Sequence, residues 1–281
     1  MTKKAKTSSY VRFAELAYKA TQASYPKYRR KKSKKTFTQP QLVACVLLKM
    51  YLDVSYRDCE EWLLASERVC QVLELKEVPD HSTLNRTFQR LTEIRLKKLL
   101  TSVLDDLEIK ESVIAGDSTG YTLSTASAYY RARSGQPFRG WLKGSYAVGT
   151  HSQMILVAQA SRRVSPNDAH MLEPLRNGAQ VYARGADWLF LADAGFDCKA
   201  VTERDLIPPI RRGGRLVAPE RKARADLIAQ ARLDGLFGQR WKTETVHSVI
   251  KRKFGGDICS RLKHRQNREP LIKAVVYNLH R

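Results

Sequence analysis

The 281-residue sequence predicts an α/β fold, a sheet covered by helices and preceded by an all-α segment. Three observations predict it. From Thr38 to about Ile109 apolar residues recur at helical spacing behind capping residues. After Lys110 short β-rich runs alternate with helical stretches, the order that lays helices on a sheet. Two of those runs, 112–117 and 188–193, close on an aspartate, and in open α/β sheets functional groups gather at strand ends.

The chain opens on charge. Residues 1–38 hold twelve Lys and Arg against one acid, Glu15, and so carry +11 of a formal net charge of +22. The densest part contains Lys27, Arg29, Arg30, Lys31, Lys32, Lys34 and Lys35. Such a cluster cannot bury itself, and residues 1–37 read as a basic arm that neutralises phosphates, with Tyr25 and Tyr28 as candidates for stacking on bases. The excess points to a polyanion, either nucleic acid or an acidic membrane surface, and away from an enzyme of small neutral substrates. A hydrophobic content of 43% with four Trp excludes wholesale disorder. The longest apolar run, Leu42 to Leu48, is seven residues, far below the roughly 18 that span a bilayer. The first residues lack the apolar core of a secretion signal. Five cysteines without a C-x-x-C pair suit reduced thiols rather than a zinc ribbon or disulfide scaffold. The expectation is a soluble intracellular protein that binds nucleic acid.

Thr38 caps the first helix of the next segment, with Pro40 in its opening turn and Leu42, Val46 and Met50 on one face. Ser55 and Asp58 form a capping-box variant that opens a second helix through Cys59, Trp62 and Leu63. Pro79 ends what precedes it. Ser82 then caps a long amphipathic helix whose buried side holds Leu84, Phe88, Leu91, Ile94, Leu99, Val103 and Leu107. That helix also bears Arg86, Arg90 and Arg95. Segment 38–109 is therefore either a helix-turn-helix reader of DNA or a bundle for packing or dimerisation; sequence does not show which face is wet.

In the second half, Ser112 to Asp117 is a strand ending in a carboxylate, and Ser145 to Thr150 and Gln153 to Ala160 are two more. Asp168 caps a helix through Met171, Leu172 and Leu175. Trp188 to Asp193 is a fourth strand, with the next helix starting at a cap near Asp197. Leu206 to Ile210 is a fifth, set at an edge by Pro208 and Pro209. A last helical pattern runs from about Leu233 to Phe254.

An aspartate at a strand end often only begins a turn. Two in one sheet can converge on a divalent ion, and a third acid on a helix would complete an all-oxygen site for Mg²⁺. At about 100° per residue, Arg240 lies some 40° from Glu244 and Lys251 about 20° to the other side. A carboxylate flanked by two cations thus shares one helix face, a spacing that an ordinary exposed ion pair shares. Asp234 and Glu269 are the next candidates for the third acid, without such a frame. His81, His151, His170, His247, His264 and His280 lack metal-ligand spacing, so no zinc is expected; His247, one turn beyond Glu244, is the one placed to reach a phosphate. Trp241 is expected to pack.

Arg240, Glu244 and Lys251 reproduce the R-x3-E-x6-K core of a Y-x2-R-x3-E-x6-K signature, with Phe237 in the Tyr place. The run from Val113 to Thr119 looks like the first-Asp motif of the same family, and Leu191 to Asp197 resembles its second, with Phe196 for Tyr. Tyr56-Arg57-Asp58 and the run from Pro79 to Leu84 are similar to its N-terminal helical domain. On these motifs residues 38–260 resemble insertion-sequence DDE transposases. The resemblance implies a ribonuclease-H-like mixed sheet with flanking helices, the first Asp on the central strand, the second after the fourth and the Glu on a later helix. The 76 positions from Asp117 to Asp193 and the 51 from Asp193 to Glu244 leave no room for a large insertion before the Glu. Residues 110–281 would form the catalytic domain.

By the same resemblance Asp117, Asp193 and Glu244 hold two Mg²⁺ ions, with Mn²⁺ able to substitute, while Arg240 and Lys251 position phosphates. The implied reaction is cleavage at the ends of a mobile element, then transfer of the freed 3′-hydroxyl into target DNA. Lys143 and Arg139, in the basic stretch 131–143, are candidate contacts to the transferred strand. The implied partners are double-stranded DNA and a second copy of the chain, since two ends must be brought together. No membrane is involved, and the location implied is the nucleoid-associated cytoplasm of a prokaryote. Two alternatives stay open: a nuclease of the same fold that cuts without joining, and a non-catalytic DNA-binding relic or repressor.

Overall fold

The computed structural model describes residues 7–32, 34–123, 133, 141–161, 168–211, 213, 216 and 218–281. Contacts divide the chain into two units, one of residues 1–106, 253–255 and 272–281, the other of residues 107–252 and 256–271.

Up to residue 106 the described elements of the first unit are all helices: α1 (Ser9–Ser24), α2 (Gln39–Leu52), α3 (Tyr56–Leu64), α4 (Glu67–Val72), α5 (His81–Arg90) and α6 (Glu93–Asp106). The capping boxes of Thr38 with Gln41 and Ser55 with Asp58 are both closed, so α2 and α3 begin where the sequence places them. Helix α1 lies inside the stretch read as an arm. Its Val11, Ala14, Ala17, Tyr18 and Thr21 form a buried stripe at helical spacing, masked in the sequence by the surrounding cations. Tyr25 is also buried, which pushes its hydroxyl up to about 12 and removes it as a stacking surface. Lys27, Arg29, Arg30, Lys31, Lys32, Lys34 and Lys35 are all exposed.

The single long helix expected from Ser82 is two. Asp80, not Ser82, is the N-cap, its carboxylate accepting from the amides of Ser82 at 2.8 Å and Thr83 at 3.0 Å. Leu91 then adopts an extended conformation and ends α5. The break restarts the helical phase, so α6 buries Leu96, Leu99, Leu100, Val103 and Leu104. Ile94 is left 80% exposed and Leu107 50% exposed, against expectation.

The second unit is built on β1 (Val113–Leu123), β2 (Trp141–Gly149), β3 (Ile155–Ser161), β4 (Leu189–Leu191), β5 (Asp205–Leu206) and β6 (Asp257–Ile258). The order is β3-β2-β1-β4-β5, with β6 also on β1. The β1–β2 and β2–β3 pairs are antiparallel and the β1–β4, β4–β5 and β1–β6 pairs parallel, so the sheet is mixed. Helix α7 (Leu172–Ala179) covers one face. Gly178 of α7 abuts Val157, which lies in register with Ala147 and Gly116 on that side. Helix α8 (Pro219–Leu233) covers the other: Ile228 and Ala231 join Ala115, Leu191 and Leu206 in one core cluster. The sequence reading misses α8, and it expects a helix near Asp197 where only a single 3₁₀ turn, Ala194–Phe196, precedes that residue. The edge strand β5 stops after two residues, just short of Pro208 and Pro209. The last helices are α9 (Trp241–Phe254), α10 (Lys263–Gln266) and α11 (Arg268–His280). Among the described residues no helix is long and apolar enough to cross a membrane.

Candidate active site

Strand β1 does not end at Asp117 but runs six residues past it, because Ser118 to Thr122 remain paired with β2. What ends there is the neighbour on the other side: the β1–β4 ladder stops at Ala115 and Leu191, two residues short of Asp117 and Asp193. Strand alternation explains why both acids share a face. Val113 and Ala115, like Leu189 and Leu191, point into the α8 core, and the next residue of each series is the aspartate. An apolar stripe therefore terminates in two carboxylates, where β4 has ceased to cover the edge of β1.

The backbone is shaped around them. Asp193 is extended, and its Oδ1 accepts from the Gly195 amide at 2.9 Å. Next to Asp117, a Cβ on Gly116 would stand 2.5 Å from the buried Phe190 ring. Glycine is required there by close approach, not by backbone angle.

Helix α9, with the 3₁₀ turn Phe237–Arg240 that leads into it, supplies the rest. Thr243, Val246, His247, Ile250 and Phe254 form its buried stripe. Trp241 lies about 160° round the helix from Thr243; it is 55% exposed and does not pack as expected. The same helix face meets Asp117. Thr243 Oγ1 lies 3.2 Å from Asp117 Oδ2, Arg240 Nη1 3.6 Å and His247 Nδ1 3.8 Å. The second Arg240 nitrogen donates to Glu244 Oε1 at 3.0 Å, so one guanidinium spans both carboxylates. Lys251, two turns on, holds its ammonium 5.9 Å from the centre of the Tyr121 ring, four residues along β1. Phe237, in the place of the signature tyrosine, packs on the α8 core and carries Arg232 over its ring at 5.3 Å.

Burial pushes the Asp117 carboxyl above the usual carboxylate range. The Ser118 amide, Arg240 and Thr243 oppose the shift, while the Asp193 charge adds to it. His247 moves the opposite way, to about 4, through burial and then through Lys251 and Arg240. Its approach to Asp117 is therefore that of a neutral imidazole, at a length beyond hydrogen bonding. The ring rests 5.5 Å from that of Tyr146.

The other acids are engaged elsewhere. Glu269 accepts from the amides of Cys259 and Ser260 at 2.9 and 2.6 Å, and Asp234 ends α8 and accepts from Gln230 at 2.9 Å. Asp197 is no helix N-cap. It is 8% exposed and takes Arg221, Arg224 and the Ile210 amide, tying the 197–210 segment to α8. Asp168 makes no side-chain cap either. It pairs with Lys143 at 2.7 Å, both side chains nearly buried, while its amide donates to the Gly195 carbonyl at 2.8 Å. Lys143 thus braces the loop of Asp193. Arg139 and the rest of that basic stretch lie outside the described residues, apart from Arg133, Trp141, Leu142 and Lys143.

The structure brings Arg240 to Asp117, with the Asp193 charge in range, while Glu244 is joined to them only through Arg240 and Lys251 lies further along the same helix face. Sequence reasoning missed Thr243, although its spacing of three from Arg240 was a usable signal. Among the described residues no three His, Cys, Asp or Glu side chains are drawn together as a metal site, the Glu244 carboxylate being turned to Arg240 and 60% exposed. The donor set nonetheless suits a hard divalent cation: all ligands are oxygens, and the charge that burial makes costly at Asp117 is one that a cation would offset. Residues 108–279 match the family model described as a transposase DDE domain. No curated protein matches the chain.

Proposed function

The chain belongs to the transposase DDE domain family, and from that premise we propose that it cuts DNA at the ends of a mobile element and joins the freed 3′-hydroxyls to target DNA. Asp117, Asp193 and Glu244 are the acids of a ribonuclease-H-like site in this reading. The observation that carries it is the Arg240 guanidinium shared between Asp117 and Glu244, at the point where β4 leaves the sheet edge open beside Asp193.

Two Mg²⁺ ions held by these acids would supply Lewis-acid charge to the attacking and departing oxygens of the phosphodiester. The Thr243 hydroxyl, shared between the Arg240 carbonyl at 2.8 Å and Asp117 at 3.2 Å, ties that carboxylate to the start of α9. Gly195 and the Lys143–Asp168 pair brace Asp193. Arg240 and Lys251 present fixed positive charge to the phosphate backbone, and the exposed cations between Lys27 and Lys35 neutralise phosphates in their own right. Two chains acting together would hold the two ends.

The test uses the full chain, Mg²⁺ and a plasmid carrying the DNA that flanks the coding region. Nicking and joined products are expected. Asp117→Ala, Asp193→Ala and Glu244→Ala should each abolish both while DNA binding persists. Normal cutting by Glu244→Ala overturns the assignment. Cutting without joined products favours the same-fold nuclease, and binding without metal-dependent cutting favours a relic.

A further inference from the structure

Whether the helical segment reads DNA or only packs turns on which face of its arginine-bearing helix is wet, and α5 settles that face. Leu84, Thr87 and Phe88 are buried, and the helix packs on α2 and α3. Asn85, Arg86 and Arg90 are exposed, with Gln89 half-buried among them. These four stand at i, i+1, i+4 and i+5, on one side of a rod about 15 Å long. Their types are those that address base edges in the major groove, Arg for guanine and Asn or Gln for adenine.

Charge points the same way. No residue from His81 to Arg90 is acidic, whereas α3, α4 and α6 all carry acids. Beside α5 runs a groove of about 440 Å³ whose lining includes Arg29, Lys34, Arg86 and Arg90, with Tyr28 and Thr83, and contains no Asp or Glu. Among the described residues none of those four cations is ion-paired. Arg86 lies along its own helix, with Nε donating to the Ser82 carbonyl at 3.1 Å, and Gln89 donates to Asn85 at 3.1 Å. These local bonds hold the face ordered and are exchangeable for base edges.

We propose that α5 is the base-reading helix, with Asn85, Arg86, Gln89 and Arg90 set in the major groove of duplex DNA while Arg29 and Lys34 take its backbone phosphates. The proposal rests on the reading of the chain as a DNA-processing protein, yet its test does not depend on cutting. The full chain selects from a pool of randomised duplexes, with and without single substitutions, and binding is followed across a salt series.

The wild-type chain is expected to enrich one motif. Arg86→Ala or Arg90→Ala should lower the preference at one base pair of that motif by about tenfold, with affinity for unrelated DNA kept. Lys34→Ala should weaken every sequence alike and reduce the salt slope by about one. Gln89→Lys, at a half-buried position on the same side, should alter the motif rather than abolish it. An unchanged motif in all the α5 variants overturns the proposal, as does a wild-type chain that nicks DNA but enriches no motif. A change of oligomeric state in Arg86→Ala with the motif intact would overturn it too. A chain that never nicks, yet loses its motif in these variants, upholds α5 and sinks the catalytic reading alone.

Discussion

Helix α5, and helix α9 with the 3₁₀ turn that leads into it, are both amphipathic and both bear arginine, but their arginines do opposite things. On α5 the cations meet no acid, and the face is open to a ligand of opposite charge. At the start of α9, Arg240 of the 3₁₀ turn Phe237–Arg240 is engaged by Asp117 and Glu244, and neighbouring side chains converge on a carboxylate that burial holds above its ordinary range. An arginine facing water answers to whatever binds, with little consequence for the fold. An arginine facing a desolvated acid is part of a balanced set, in which its charge opposes what burial does to that acid. The α9 face and the strand beneath it should therefore respond to small changes, and the α5 face should not.

The sharpest contrast is expected at Gly116. Its Cβ would enter the Phe190 ring, so Gly116→Ala should cost about 1–3 kcal/mol in chemical denaturation. An unchanged midpoint would mean that the ring swings aside and that the floor of the site is soft.

Of similar size is the acid response of His247. The folded imidazole sits at about 4, below the ordinary value of about 6.5. The unfolded chain therefore takes the proton first, and stability is full above about 6.5 and lost as pH falls through 4. The groups facing the ring are Asp117 from β1, Tyr146 from β2, Lys251 from α9 itself and Arg240 from the turn before it. Asp117, raised when folded, acts in the opposite sense, adding stability that is present at low pH and lost as pH rises. The difference between the wild-type chain and His247→Phe isolates the imidazole. Measured in chelator, it should shrink by on the order of a few kcal/mol between those two pH values, and parallel curves would show that the ring is protonated in the fold.

Thr243→Val removes the hydroxyl shared by Asp117 and the Arg240 carbonyl and should lower the nicking rate by about tenfold, the worth of one hydrogen bond of about 1.4 kcal/mol. Thr243→Ser should restore the rate, which a purely packing role for the methyl group would not allow. The smallest effect belongs to the other helix. Asn85→Ala should leave stability within about 0.5 kcal/mol of the wild-type chain; a larger loss would show that α5 is covered rather than wet.

Much of the candidate site was legible because its signals are local. Caps such as Thr38 and Ser55 are satisfied by residues three positions away, and the helical spacing that joins Arg240 to Glu244 needs no partner from elsewhere. The alternation that carries Asp117 and Asp193 to one face is likewise written in the two strands themselves. Illegible were the features in which distant residues choose among equal local options. Helix α1 was hidden because a buried stripe looks like any other until something packs on it. The break at Leu91 depends on the packing of α5, since the residues there are compatible with continued helix.

Carboxylates show the division most plainly. Sequence alone determined the order and spacing of Asp117, Asp193 and Glu244, and of Arg240 and Lys251 around the last, on which the resemblance to the family rests, because order and spacing are properties of the chain. Only the tertiary structure decided that Asp197 is held by two arginines, that Glu269 anchors backbone amides, and that Asp117 is partly buried against Thr243 and His247. The free energy of a charge is set by the water it has lost and the dipoles that replace it, and those come from residues far away along the chain.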